Sequence, residues 1–258
     1  MLTASRLVLT CVLAGVGASA ALPAAADTLP AASTFVQCSA DGNSGFDPTA
    51  CTVGGIPGVP SSSVASATLA PSPLVTAEAA SPPTGVFGAG TSAEATYFFR
   101  VTGGNVDDVV PILIEARLTA SSTPASSALA RLLIHTSPNA MPHIEEVCTD
   151  GSCDETTFFE PLSMQVLSGS TADSITLYVT AQATATQSSN ESASASADPY
   201  IAVDPAFPNA SLYSIVVSPE VGNVPVPEPA RTWFVGTALC ALSLARRRHQ
   251  AASSSAKR

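Results

Sequence analysis

The sequence predicts an all-β fold, an antiparallel β-sandwich of jelly-roll-like form, with an N-terminal signal helix and a short C-terminal transmembrane helix attached. Three observations predict it. Charged residues make up only 12% of the chain, and 21 Pro and 16 Gly punctuate a sequence dominated by Ala, Ser, Thr and Val, a composition of strands and turns. Several segments alternate apolar and polar residues with a period of two. No segment of the body sustains apolar spacing at three and four, so the sequence offers no helices to cross over between parallel strands.

Residues 1–26 carry Arg6, an apolar run from Leu7 to about Leu22 and then small residues after Pro23, the layout of a secretory signal peptide. Cleavage is expected between Ala26 and Asp27. Residues 27–94 form a Pro-, Ser- and Gly-rich first part of the exported body, in which much irregular chain is expected around a disulfide loop.

The sandwich core is expected over residues 95–218. ATYFFRVT (Ala95 to Thr102) is aromatic and rich in β-formers. PILIEARLT puts Ile112, Ile114, Ala116 and Leu118 on one face, ALARLLIHT does the same with Ala130, Leu132 and Ile134, and SITLYVTAQA with Ile175, Leu177, Val179, Ala181 and Ala183. The Ser/Ala alternation up to Tyr200, Ile201 and Val203 reads as a strand returning beside its predecessor after a turn near Ser188 to Glu191. SLYSIVVS closes the domain, and residues 219–225 are a spacer.

Charge and cysteines bound the function. All 20 acidic residues lie between Asp27 and Glu228, where the only bases are Arg100, Arg117 and Arg131, so this stretch carries a net charge of −17. Such a body repels nucleic acid, which excludes a phosphate-backbone partner. It contains Cys38, Cys51, Cys148 and Cys153, and local pairing of the first two and of the last two is favoured because each pair brackets turn residues. Each bridge would stabilise by about 2–3 kcal/mol in the loop-closure model.

Catalytic constellations are sparse. The body offers only His135, expected on a strand surface, and His143, expected in a loop, and it has no GxSxG. The adjacent acids Asp107 and Asp108, Glu145 and Glu146, and Asp154 and Glu155 read as solvated turns rather than a carboxylate pair facing across a cleft. No enzymatic activity and no cofactor are expected. Calcium is the one cation these turns invite: Asp41, Asn43 and Asp47 alternate as oxygen donors, and Asp150, Asp154 and Glu155 follow Cys148, although neither set has the closing glutamate of a full ligand loop. Thr176, Thr180, Thr184 and Thr186 share a strand face that invites an ice or glycan reading, against the simpler fact that Thr favours exposed strands.

The end of the chain has three parts in order. Pro227, Glu228 and Pro229 precede an apolar run of 14 residues, Thr232 to Ala245, and then Arg246, Arg247 and Arg248. As a helix the run would cover roughly 21 Å of a hydrocarbon core about 30 Å thick. The arginines act as a stop-transfer signal and remain cytoplasmic, with residues 249–258 as a basic cytoplasmic tail. Residues 226–248 resemble the PEP-CTERM sorting domain of exported proteins in Gram-negative, exopolysaccharide-producing bacteria. The resemblance implies recognition near Pro227 to Pro229 by an exosortase-like membrane enzyme, a transient hold in the inner membrane, and release to the cell surface or an extracellular polysaccharide matrix. The body, too, resembles the uncharacterised sandwich domains that carry this tail, which implies a fold and no activity. The sequence therefore reads as an exported, non-catalytic surface or matrix protein, with a secreted carbohydrate-binding module or polysaccharide hydrolase as the alternative.

Overall fold

Alternation of buried and exposed side chains runs almost unbroken along the longest strands of this chain, and a strand turns successive side chains to opposite faces. A computed structural model describes residues 28–55, 61–83, 88–137, 141–153, 155–169, 172–184 and 190–224. The expected signal segment, with Ala26 and Asp27, and the expected sorting segment, with Pro227, Glu228, Pro229, Arg246, Arg247 and Arg248, lie outside the described residues. Among the described residues no helix is long and apolar enough to cross a membrane.

The described chain is all-β, in two seven-stranded antiparallel sheets packed as a sandwich. Sheet A runs β2 (Asn43–Asp47), β1 (Ser33–Ala40), β6 (Ala89–Gly103), β12 (Asp173–Ala183), β8 (Ser126–His135), β9 (His143–Cys148), with β14 (Tyr213–Val217) also on β6. Sheet B runs β10 (Thr157–Phe158), β7 (Val109–Ser122), β13 (Glu191–Val203), β5 (Leu74–Ser81), β4 (Ser62–Thr68), β3 (Ala50–Gly54), with β11 (Pro161–Leu167) also on β7. Across the interior, β4 faces β1 and β6, β5 faces β6 and β12, and β13 faces β12 and β8.

The inward residues expected on β7, β8 and β12 are all buried. Two expectations are corrected. The sandwich does not begin at residue 95: β1 to β5 are full members of it, because Val36, Cys38, Ala65, Ala67, Val75, Ala77 and Ala79 supply the same inward alternation with small side chains. Nor does β13 return beside β12. It crosses to sheet B and pairs with β5 and β7, burying Ala193, Ala195 and Ala197 on one face while Ser192 and Ser194 stay exposed.

The interior is graded along the strands. Register places Ala89 beside Ala183, Thr91 beside Ala181 and Ala93 beside Val179 at one end, then Ala95 beside Leu177 and Tyr97 beside Ile175 towards the other. Sheet B repeats the gradient, from Ala79 and Ala193 through Ala77 and Ala195 to Ile201 beside Ile114. A buried alanine contributes one methyl, whereas a buried leucine or isoleucine contributes about 1.5–3 kcal/mol, so apolar burial is concentrated at the large-residue end.

The first and last parts of the described chain meet at that end. Ser218 Oγ donates to the carbonyl of Pro30 at 2.8 Å and accepts from the Phe98 amide at 2.8 Å, which joins the start of the described chain to the end of β14 over β6. Nearby, Gly103 and Gly104 both have positive φ; a Cβ on Gly104 would lie 2.4 Å from the Tyr213 ring, whose hydroxyl donates to Asp108 Oδ2 at 2.8 Å.

Substitutions should report the gradient. Leu177→Ala is expected to cost about 2–5 kcal/mol by leaving a cavity, and Ala181→Leu about 1–3 kcal/mol by overpacking an alanine row. Urea unfolding measures both, and an Ala181→Leu protein as stable as the parent would show that the alanine end is not close-packed.

Candidate functional site

Disulfide pairing follows the expected local pattern, and its geometry adds something the spacing did not show. Cys38 on β1 and Cys51 on β3 are bonded with Cα atoms 6.0 Å apart, and these strands belong to different sheets. Between them the chain makes a tight turn at Asp41 and Gly42, both with positive φ, runs back as β2, then crosses to sheet B. Asp47 shapes the crossing: its Oδ1 accepts from the amides of Thr49 at 2.8 Å and Ala50 at 3.0 Å. These hydrogen bonds, Ala50 first, hold its carboxyl below the usual range. Cys148 and Cys153 close a short loop at the end of β9, with Cα atoms 5.5 Å apart.

The calcium candidates are engaged in turns. Asp41 is buried at its turn, Asn43 Nδ2 donates to the Gly54 carbonyl at 3.3 Å, and Asp150 Oδ1 accepts from both the hydroxyl and the amide of Ser152. Asp154 lies outside the described residues. Among the described residues no three His, Cys, Asp or Glu side chains converge in a geometry that could hold a metal.

The histidines and acidic pairs are scattered. His135 is exposed at the end of β8, as expected, but His143 begins β9 rather than lying in a loop, with Nε2 2.7 Å from Glu145 Oε1. Glu145 and Glu146 are likewise on β9 and not on a turn, and Glu146 pairs with Arg131. The reason is that β9 is an edge strand, where charged side chains are tolerated and discourage further pairing. Asp107 sits on a turn with positive φ, and Asp108 caps that turn through the Asn105 amide at 2.7 Å.

What topology does bring together is a row across the outer face of sheet A. Register sets Phe35 opposite Glu94, Glu94 opposite Tyr178, Tyr178 opposite Arg131 and Arg131 opposite Glu146, one residue from each of β1, β6, β12, β8 and β9. Phe35 is 48% exposed and Phe46, from β2, is 64% exposed, their ring centroids 6.2 Å apart. Tyr178 stands two strands from Phe35, about 9.6 Å at the usual strand spacing. Gln37, Ser92 and Thr180 form the row on one side, and Thr96 and Thr176 lie in the row on the other, their hydroxyls 2.9 Å apart. Thr184 lies past the end of β12, and Thr186 is outside the described residues, so the expected threonine face reduces to Thr176 and Thr180 on this mixed surface. Sequence reading missed the row because its five members are spread from Phe35 to Glu146 and Tyr178, and only the strand order aligns them.

Comparison adds no family: no family model matches the chain, and no curated protein matches it.

A carboxyl inside the sandwich gives a separate handle on this sheet. Asp173 opens β12 and is 3% exposed; burial lifts its pKa to about 6, while the Ser137 amide, 2.6 Å from Oδ1, pulls the other way. A folded-state pKa above the ordinary aspartate value of about 3.9 means that the folded protein holds the extra proton between about pH 4 and 6. Its stabilising contribution is therefore full below about pH 4 and is lost as pH rises through about 6. Asp173→Asn should flatten this part of the stability-versus-pH curve, measured by denaturant titration at pH 4, 5, 6 and 7; an unchanged curve would contradict the assignment.

Proposed function

We propose that this chain is an exported, non-catalytic β-sandwich protein, sorted through its C-terminal Pro227-Glu228-Pro229 motif and displayed at the cell surface or in an extracellular polysaccharide matrix. The observation that carries the reading is the order of that motif, the 14-residue apolar run and Arg246 to Arg248 at the end of a chain that begins with a signal-like segment. Two features of the body support it. Both cysteine pairs are bonded, which suits an oxidising compartment outside the cytoplasm. Its net charge of −17 over Asp27 to Glu228 keeps it soluble and favours coupling to an anionic matrix through divalent cations.

In this reading the signal segment is removed after Ala26, the short apolar run holds the chain only until an exosortase-like enzyme acts, and residues 249–258 stay cytoplasmic. From β5 to β8 and again from β11 to β14 consecutive strands alternate between the sheets, which supports a jelly-roll-like winding of the body.

A second reading, carbohydrate binding, is favoured by the outer row of sheet A. Its aromatic rings at Phe35 and Tyr178 are separated by hydrogen-bonding side chains, the arrangement with which a flat surface stacks and orients sugar rings.

Replacing Pro227, Glu228 and Pro229 by alanine should raise the mature mass and leave the protein in the inner membrane, measured by mass spectrometry and fractionation. Unchanged mass and location would make the tail an ordinary anchor. For the second reading, the exported protein should bind an extracellular polysaccharide and lose most of that binding with Phe35→Ala and Tyr178→Ala; binding that is absent, or untouched by both substitutions, removes it.

A further inference from the structure

Three serine hydroxyls point into the alanine end of the sandwich with no hydrogen-bond partner among the described residues. They belong to Ser61, Ser63 and Ser81, each at most 1% exposed. They are neighbours. Ser62 pairs with Ala80, and the Gly55 amide bonds the Ser61 carbonyl at 2.7 Å, so the next step of the ladder sets Ser61 opposite Ser81. Ser81 in turn pairs with Glu191 on β13, and Ser63 lies one row further in, between Val53 and Ala79.

Adjacent strands are about 4.8 Å apart, while a direct hydroxyl hydrogen bond spans about 2.8 Å. On the outer face of the same sheet, hydroxyls on adjacent strands lean together and close that gap: Ser66 and Thr76 are 2.8 Å apart, and Thr119 and Ser196 2.7 Å. The interior serines do not. Two hydrogen bonds meeting at one oxygen would span roughly the strand spacing. The facing strands β1, β6 and β12 present Ala40, Ala89 and Ala183 at this end, which are small and offer no polar group. Glu191, 4% exposed, ends the row, its Oε2 accepting from Thr123 Oγ1, the Ala125 amide at 3.2 Å and Ser126 Oγ at 3.4 Å.

We propose that this end of the sandwich is an internal hydration site, in which bound water bridges Ser61, Ser63 and Ser81 within sheet B and continues the polar row to Glu191. Burying a hydroxyl unpaired is costly, and a water with two to four polar partners removes that cost. The three hydroxyls are neutral and supply no charge to offset the desolvation of a cation, and the carboxylate that ends the row, Glu191, is already engaged by Thr123, Ala125 and Ser126. The hydration site gives a thin interior its cohesion where side chains supply little apolar area.

Oxygen-17 magnetic relaxation dispersion counts long-lived internal waters in the intact exported protein. The Ser61→Ala, Ser81→Ala double variant should lose at least one long-lived water and melt about 2–4 °C lower. An unchanged water count, or a variant that melts at the same temperature or higher as removal of dry, unpaired hydroxyls would give, overturns the proposal. So does a wild-type melting temperature raised by added sodium or calcium and not raised in the variant, which would assign the place to a cation.

Discussion

The bridge between Cys38 and Cys51 crosses from one sheet to the other at the end of the sandwich where the interior has least hydrophobic material. There the facing rows are alanine and serine, and each methyl removed from water contributes only a fraction of what Tyr97, Phe99 or Ile114 contributes at the opposite end. A sandwich with so uneven an interior needs some other constraint to keep its thin end closed. The covalent bridge supplies it along one edge, and the side-chain bonds from Ser122 to Thr149 and from Glu191 to the loop after β7 supply it towards the other.

From that closure follow the features that bear on function. β6 spans both ends, paired along one edge with β12 and along the other with β1 and β14 end to end. Ser218 ties the first described residues to the last strand over Phe98, so the described chain enters and leaves on the same side of the large-residue end. A body closed in this way leaves its broad sheet faces outward. The outer row of sheet A from Phe35 to Glu146 is continuous because five strands of matched register carry it, and it persists only while the sheet beneath holds its shape.

Much of the fold was legible because strands with one buried face must alternate, and β7, β8 and β12 do so with Ile, Leu and Val, residues large enough to be unmistakable. β4, β5 and the first half of β13 alternate in burial just as strictly, but their inward residues are mostly alanine, joined by Ser63 and Ser81, and β13 sets alanine against serine, so the contrast in side-chain polarity is weak enough to resemble a linker. Partner choice was not legible at all: nothing local in β13 distinguishes a return beside β12 from a crossing to β5 and β7. The same holds for the candidate site. Asp47 was visible as an acid in a turn, while its work as a turn-forming group depends on the chain changing sheets between Asp47 and Ala50. Phe35, Glu94, Tyr178, Arg131 and Glu146 are unremarkable one at a time and become a row only through strand order.

The alanine end is thus held shut by the inter-sheet bridge and the large-residue end by apolar burial. Amide hydrogen exchange on a Cys38→Ala, Cys51→Ala protein tests it most directly. Protection should fall first and furthest at Thr91, Ala181, Ala79 and Ala193, while Phe99, Ile114 and Ile134 keep most of theirs. Equal loss at both ends, or loss that begins at the large-residue end, would contradict it.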